Sequence, residues 1–463
     1  MTLVQRLAAF AAGTTYDALP AEVTTSVKRR VLDILGIALA ASARGLADGV
    51  LELVADDGGA PRASVVGSEL RVPEAQAAFV NGTLAHSLDF DDTHLPSVLH
   101  PSASVVPATL AMAEAAGASG REAIRAAAVG IEITVRVGMG GYVVDEGNVF
   151  FERGWHATSI CGTLGCAASA AMLLGLDAER IAHAIAIASS FASGILEGNR
   201  AGGTVKRLHC GWAAHAGITA ARLAAHGFTG PETVLEGRFG LYQAFLDGHA
   251  NPDAVVDALG ERWELPGIVF KPYPANHYTH AGIDAALRMR ARGVRPETIA
   301  RLELGTSAPE LRTIGEPRDE KVRPRSGYHA QFSGPFTVAT ALIGGGGLGV
   351  YFDDFTDDKA RDPRVLELAA KVETFVDESC DRAFPHTFPA VLRAHLDDGS
   401  VVEERVMHPR GTRQNPLSDG DIRRKFDLNA AKALRRERAA RLADDVMQLE
   451  REASVAPLLA MTR

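Results

Sequence analysis

Apolar residues recur every three or four positions through most of the first 250 residues, which is the period of an amphipathic helix. The pattern predicts helices over residues 23–41, 104–116, 121–137, 158–174, 178–196 and 212–226. The first of these places Lys28, Arg29 and Arg30 together on its polar side. Several of the others are so rich in alanine and poor in charge that most of their sides should be buried. A packed, all-helical domain is therefore predicted.

The pattern changes near Gly267. Residues 299–305 alternate as a strand does, and residues 390–396 and 401–407 flank a Gly-containing turn as a β-hairpin. Further helical patterns cover 279–292, 334–343 and 429–450, the last preceded by the capping pattern at Ser418–Asp421. We predict a mainly α protein with three parts: a large helical domain (1–267), a smaller α+β lid domain (268–408), and C-terminal helices (409–463) that return to the first domain.

Composition narrows the function. The 463 residues carry a net charge of −9, which argues against nucleic acid as a partner because a phosphate backbone selects a basic surface.

No signal peptide and no apolar run of about twenty residues is evident, so no membrane association is expected and the predicted location is cytoplasmic. The run Gly344–Gly347 lacks the Gly-Lys-Ser/Thr ending of a phosphate loop and is interpreted as a flexible helix end.

The cysteines argue against a metal or cluster site. Cys161, Cys166, Cys210 and Cys380 form no CxxC pair, so neither structural zinc nor an iron–sulfur cluster with closely spaced thiolates is supported. HExxH and HxxEH patterns are also absent from the sequence, which disfavours a metal-dependent hydrolase. We expect inert, buried thiols in a reducing compartment.

Four histidine-bearing polar segments interrupt the apolar chain. They are Asp89–His94 with His100-Pro101-Ser102, Gly154–Thr158, Lys206–His209, and Lys271–His280. An imidazole titrates near neutral pH and a carboxylate can hold it in one tautomer, so this mixture suits proton transfer. We interpret the four segments as one enzyme site that is assembled from distant loops.

These segments, in this order, resemble the MmgE/PrpD family along essentially the whole chain. The resemblance is carried by Asn81–Thr93, His100-Pro101-Ser102, Gly154–Thr158, Lys206–Gly211 and Lys271–Pro274, and by the tail from His408 to Phe426. The family includes 2-methylcitrate dehydratase, cis-aconitate decarboxylase and iminodisuccinate epimerase. The resemblance implies a helical domain plus a lid domain, a homodimer, a small anionic carboxylate substrate, and no metal or organic cofactor.

Carried over by position, the resemblance assigns His100, Asp89 and His156 as catalytic residues. Its substrate-binding residues would be Thr93, Lys206, Lys271 and His277. Asp89, Asp91 and Asp92 cannot all be catalytic, because like charges so close repel one another. We choose Asp89 as the residue that orients His100, and Asp92 stays the alternative.

The other polar residues of these segments are weighed singly. Lys206 follows Gly202-Gly203-Thr204, a loop able to approach a ligand closely. His209 and His215 are interpreted as packing or hydrogen-bonding residues, and His280 as either functional or structural.

Two departures leave the substrate open. Where the family's decarboxylase has a tyrosine, this chain has Phe336 in Ser333-Gly334-Pro335-Phe336. Where the dehydratase has Asp-Asn after His-Pro-Ser, this chain has Ala103-Ser104, which makes strict 2-methylcitrate dehydration less favoured.

The expected chemistry is proton transfer at a carbon next to a carboxylate, with the site in a cleft between helical domain and lid. A lyase is predicted, with an epimerase of an amino-dicarboxylate such as iminodisuccinate as the alternative, because sequence does not fix the face that is protonated. A non-catalytic carboxylate-binding protein is a second alternative.

Overall fold

The computed structural model describes residues 1–144, 147–198 and 203–463. The chain divides into two compact units, one comprising residues 1–268 and 422–463 and the other residues 269–421. The second unit continues past residue 408 because the Arg410 backbone N–H donates to Asp284 Oδ2 (2.7 Å), and that of Phe270 donates to the Gly411 carbonyl (3.3 Å). Within the described ranges, no helix has the length and apolar character needed to cross a membrane.

The first unit is built almost entirely of helices, and its N-terminal part contains twelve of them among the described residues. They are α1 Leu3–Gly13, α2 Ala21–Ser42, α3 Asp48–Asp57, α4 Glu74–His86, α5 Ser102–Ala116, α6 Gly120–Gly140, α7 Val149–Glu152, α8 Ala157–Leu173, α9 Ala178–Phe191, α10 Val205–Ala225, α11 Leu241–Leu246 and α12 Asp253–Val256. Short two-residue ribbons pair β1 (Ala63–Ser64) with β2 (Arg71–Val72) and β3 (Tyr142–Val143) with β4 (Gly147–Asn148). The alanine-rich helices α5 and α8 are buried over nearly their whole length, as their low charge predicts.

Glycines allow the central helices to approach one another closely. A Cβ atom on Gly82 of α4 would lie 2.9 Å from the Cys210 carbonyl oxygen, and one on Gly211 of α10 would lie 2.3 Å from the Phe79 carbonyl oxygen. Both distances are far below van der Waals contact, so only glycine fits at this crossing. The crossing brings the C-terminal end of α4 close to the first turns of α10.

The second unit contains a four-stranded sheet with helices packed on it. Its strands, β5 Ile299–Thr306, β6 Val372–Val376, β7 Ala390–Leu396 and β8 Val401–Val406, lie in the order β6-β5-β7-β8. β5 and β6 are parallel, and the other pairs are antiparallel. The helices are α13 His280–Ala291, α14 Ala308–Ile314, α15 Arg318–Val322, α16 Gly327–Ala330, α17 Gly334–Ile343, α18 Pro363–Ala370 and α19 Glu378–Ala383.

The C-terminal region differs from the sequence interpretation in one respect. The helical pattern predicted over 429–450 is two helices, α20 Asp419–Ala430 and α21 Arg436–Met447, followed by α22 Ala456–Ala460. Ser418 Oγ accepts the Asp421 backbone N–H (3.1 Å), as the capping pattern predicts. The helix is interrupted over Lys432–Arg435, where all four residues are exposed except the partly buried Leu434.

Candidate functional site

A tight loop between α4 and α5 brings His100 back beside Thr93. The backbones of His94 and Leu99 exchange two hydrogen bonds, of 2.8 and 3.3 Å. Closing this loop places Val98 at φ +50°, a left-handed conformation that strains a β-branched residue. Asp89 has the same φ of +50°, which an aspartate tolerates more readily.

The Asp92 backbone carbonyl determines which nitrogen of His100 can exchange a proton. His100 Nδ1 donates to the Asp92 carbonyl oxygen at 2.6 Å, and the His100 backbone N–H donates to Thr158 Oγ1 at 3.1 Å. A carbonyl oxygen can only accept, so Nδ1 carries a proton in both charge states of the ring. Nε2 is therefore the nitrogen that gains or loses a proton. Thr93 Oγ1 lies 3.3 Å from Nδ1, and Asp91 Oδ2 lies 3.8 Å from it.

His86, at the end of α4, is held by Asp91. Its Nδ1 lies 2.8 Å from Asp91 Oδ2, and both side chains are fully buried. A carboxylate accepts, so Nδ1 donates and Nε2 carries the lone pair of the neutral ring. Within the described part of the chain this buried Nε2 has no hydrogen-bond partner. Buried polar atoms are rarely left in that state, which marks His86 as a functional candidate that sequence reasoning missed.

His156 and His209 complete a group of four imidazoles. His156 precedes α8, His209 lies in the second turn of α10, and their Nδ1 atoms are 2.8 Å apart. The ring of His86 lies 5.3 Å from that of His100 and 5.6 Å from that of His156. We call His86, His100, His156 and His209 the imidazole cluster. Burial, reinforced by the positive charges that His86 and Lys206 can carry, holds the pKa of His156 well below its usual value.

Lys206 supplies a cation beside the imidazole cluster. It lies in the first turn of α10, with Nζ 3.4 Å from Asp89 Oδ1, and both side chains are largely buried. Of the predicted loop before it, Gly203 has φ +105°, whereas Gly202 lies outside the described residues. The position of Asp89 beside Lys206 leaves its orienting role for His100 a prediction.

Two buried cations contact the loop that carries Asp89, Asp91 and Asp92. Arg30 lies 2.5 Å from Asp92 Oδ2, and Asp92 also accepts from the backbone and hydroxyl of Ser102 at the start of α5. Arg30 was expected on the polar side of its helix, and that expectation is wrong, because its side chain is fully buried. Asp92 thereby pairs with the buried Arg30 and accepts hydrogen bonds from the first residue of α5.

The second buried cation is Lys425 of α20. Its Nζ lies 2.7 Å from Asp33 Oδ1, 2.8 Å from the Phe90 carbonyl oxygen and 3.8 Å from the centre of the Phe90 ring. The C-terminal segment thus supports the backbone between Asp89 and Asp91. Sequence reasoning missed Arg30, Asp33 and Lys425, because charged residues in a helical pattern are usually solvated.

The remaining predicted site residues lie in the second unit. Lys271 is 1% exposed, and His277 is 7% exposed, with its ring 4.8 Å from that of His280 and 5.3 Å from that of Phe388. Phe336, at the family's tyrosine position, is fully buried in the hydrophobic core of this unit. The structure thus brings His100, Thr93, His156, Asp89 and Lys206 together in the first unit, while the roles of all seven residues stay predictions.

All four cysteines are buried, and none of them forms a disulfide. Burial raises the pKa of each of the four thiols, that of Cys380 to about 12, so little thiolate exists at neutral pH. Among the described residues, no group of three or more His, Cys, Asp or Glu side chains is arranged to hold a metal ion.

Comparison with known proteins gives matches along the chain. The family model of the MmgE/PrpD N-terminal domain matches residues 5–253, and that of the C-terminal domain matches residues 273–450. Cis-aconitate decarboxylase of Homo sapiens is 33% identical over 396 residues, covering 82% of this chain and 78% of that protein. The Mus musculus enzyme is 31% identical, with 91% and 86% covered. The cis-aconitate decarboxylase-like protein oryM of Aspergillus oryzae is 28% identical, with 96% and 93% covered.

Proposed function

Because the chain belongs to the MmgE/PrpD family, we propose that it is a lyase acting on a small di- or tricarboxylate, with cis-aconitate as the first candidate. The reaction is proton transfer at a carbon next to a carboxylate. The observation that carries the proposal is the imidazole cluster, in which His100 has a fixed Nδ1–H and one exchangeable nitrogen. Lys206 adds the positive charge that a carboxylate substrate requires.

The chemistry on cis-aconitate illustrates what these groups do. The bond from the CH₂ carbon to its carboxylate breaks, and CO₂ leaves. The electron pair moves to form a terminal C=C bond, and the former alkene carbon, which bears a carboxylate, takes up a proton. His100 Nε2 delivers that proton, and fixed cations stabilise the negative charge as it develops.

The other predicted residues bind and assist. Lys206, Thr93, Lys271 and His277 bind the carboxylates that remain on the product. His156 serves the leaving group or the opposite face of the substrate. The decarboxylase option is favoured over strict 2-methylcitrate dehydration by the relatives and by Ala103-Ser104 after His100-Pro101-Ser102.

Proton NMR in D₂O with purified protein tests the proposal. A panel of cis-aconitate, citrate, 2-methylcitrate and amino-dicarboxylates separates the possible outcomes. Decarboxylation gives two vinyl protons and one deuterium on the neighbouring CH₂ group, dehydration gives an alkene without CO₂ loss, and epimerisation gives α-deuteration alone. Turnover of amino-dicarboxylates by α-deuteration alone would replace the lyase by the epimerase, and no turnover of any substrate would favour a carboxylate-binding protein.

We propose that the enzyme works without a metal or organic cofactor and as a homodimer. Full activity after dialysis against EDTA is expected, and activity that is lost and then restored by a divalent cation would refute the first statement. The dimer is supported by large apolar side chains exposed on α10, where Val205 is 47% and Trp212 is 41% exposed. A monomer by light scattering at micromolar concentration would refute it.

A further inference from the structure

The contact between His156 and His209 joins two identical atoms. Each Nδ1 is either a donor or an acceptor, and at 2.8 Å they share a single proton. When both rings are neutral, one carries its proton on Nδ1 and the other on Nε2. Moving the shared proton from one Nδ1 to the other, together with proton uptake at one outer Nε2 and release at the other, therefore exchanges the roles of the two Nε2 atoms.

The surroundings keep this pair neutral. Burial first, and then the nearby His86 and Lys206, hold the pKa of His209 at about 4. For His156 the groups that act beside burial are His86, Lys206, His209 and His100, and its pKa is also well below the usual value. Protons on both Nδ1 atoms would set two N–H groups against each other, so the contact holds one proton. The pair can consequently pass a proton without storing a charge.

Hydrogen bonds hold the backbone at both histidines. The His156 N–H donates to the Gly194 carbonyl oxygen at 2.9 Å, and Ser159 Oγ donates to the His209 carbonyl oxygen at 3.1 Å. Gly194 has φ +131°, and a Cβ there would lie 3.4 Å from the His156 Cβ. Of the two rings His209 is nearer the surface, since it is 8% exposed and His156 is 1% exposed.

We propose that His209 and His156 form a proton relay from solvent to the reacting centre, with His209 as the outer member. The proposal rests on the proposed function, because decarboxylation consumes one proton per turnover and a buried site must be resupplied. In the relay, water gives a proton to His209 Nε2. The Nδ1 proton of His209 moves to His156 Nδ1, and His156 releases its Nε2 proton towards the substrate or His100. Both rings end neutral with their tautomers exchanged. Because simple reversal would carry the proton back out, the reset requires the two rings to rotate apart and each to return to its first tautomer by exchanging one proton for another with water.

Substitutions at His209 test the relay kinetically. His209→Asn can donate or accept one hydrogen bond but cannot pass a proton through, so kcat should fall roughly ten- to hundredfold, at or below the usual worth of a positioned proton-transfer group. KM for cis-aconitate should change less than about twofold. The matched control is His215→Asn, on the same helix and stacked on Trp212, which should retain wild-type kcat. A wild-type kcat in His209→Asn would overturn the relay.

Small-molecule rescue separates proton transfer from packing. Added imidazole should restore kcat of His209→Ala in a saturable manner, because it accepts at one nitrogen and donates from the other. 1-Methylimidazole has one such nitrogen and should fail. Equal rescue by both compounds, or by neither, would assign His209 to packing.

A measurement that needs no turnover keeps the relay distinct from the proposed function. In protein labelled with ¹⁵N-histidine, a through-hydrogen-bond N–N coupling between the two Nδ1 atoms is expected, with shifts of neutral rings at pH 7. It should vanish in His209→Asn. Absence of the coupling in wild type would refute the relay, whereas absence of both decarboxylation and dehydration for every substrate in the panel would refute the proposed function.

Discussion

Replacing Lys425 by methionine should destabilise the first unit and disturb the site together. Methionine keeps most of the apolar stem of lysine but lacks the ammonium group. The change leaves Asp33 as a buried carboxylate without its cation, and leaves the Phe90 carbonyl oxygen without the donor at 2.8 Å. Both groups are beyond the reach of bulk water, since Asp33 and Phe90 are 2% and 1% exposed.

The expected loss of stability follows from removing one partner of a buried ion pair. Such changes cost about 3–5 kcal/mol, because the remaining charge stays desolvated. Asp33→Asn combined with Lys425→Met removes the orphaned charge, so the double variant should recover at least half of the loss. The matched control is Lys28→Met, which breaks a partly exposed pair with Glu450 (3.0 Å) between α2 and the C-terminal segment. That change should cost less than about 1 kcal/mol.

The effect also has a defined pH dependence. Burial raises the pKa of Asp33 from 3.8 to about 6, despite Lys425, which lowers it. Between these values the folded protein holds a proton that the unfolded chain has lost, so this carboxyl's contribution to stability falls as pH rises, by about 3 kcal/mol in total. Without Lys425 the pKa of Asp33 in the folded protein rises further, so the stability contributed by this carboxyl continues to fall at higher pH. Lys425→Met should therefore be more destabilising at pH 8 than at pH 5.5.

Urea unfolding followed by circular dichroism at both pH values, with kcat measured in parallel, tests this reasoning. The site should suffer because the Phe90 carbonyl lies between Asp89 and Asp91 in the chain. A loss below about 1 kcal/mol at pH 8, or a double variant no more stable than Lys425→Met, would contradict the assignment of Lys425 to the buried pair.

Three further predictions concern the site itself. His100→Ala should lower turnover by about two to four orders of magnitude with an unchanged urea midpoint, and near-wild-type turnover would remove His100 from the mechanism. Lys206→Ala should chiefly raise KM for the anionic substrate, and Lys206→Arg should rescue only in part because the planar group needs another geometry; unchanged kinetics in both would end its binding role. His86→Asn keeps a donor for Asp91 and should unfold within about 1 kcal/mol of wild type, whereas His86→Ala should cost about 1–3 kcal/mol in the same assay, and equal stabilities would contradict the His86–Asp91 bond.

The sequence predicts those parts of the fold that depend on local periodicity. Helix α6 and the hairpin of β7 and β8 are recognisable because their apolar residues follow one period over many positions. β6 was not predicted, because it has only five residues and pairs in parallel with a strand about seventy positions earlier. Non-local pairing of that kind leaves little trace in the order of residues.

The site shows the same division between local and non-local information. His100 and His156 stand in unusual polar segments, and these attract attention in the sequence alone. His86 and His209 occupy helical patterns in which a histidine usually packs or hydrogen-bonds, so their proximity emerges only after α4, α8 and α10 are packed. Arg30 and Lys425 are harder to predict still, because their partners are distant in the sequence. Asp92 lies more than sixty residues from Arg30, and Asp33 lies nearly four hundred residues from Lys425.

The protonation states of the site therefore depend on packing as much as on chemistry. The Asp92 carbonyl fixes His100, and the Asp91 carboxylate fixes His86, each through Nδ1. For His156 the partner is another imidazole, which can give or take the proton equally well. His86 and His100 thus each have one defined exchangeable nitrogen, while His156 changes from acid to base when its Nε2 releases a proton and its Nδ1 takes the proton shared with His209. That asymmetry is what a reaction needs when it must deliver a proton at one position and be recharged from another.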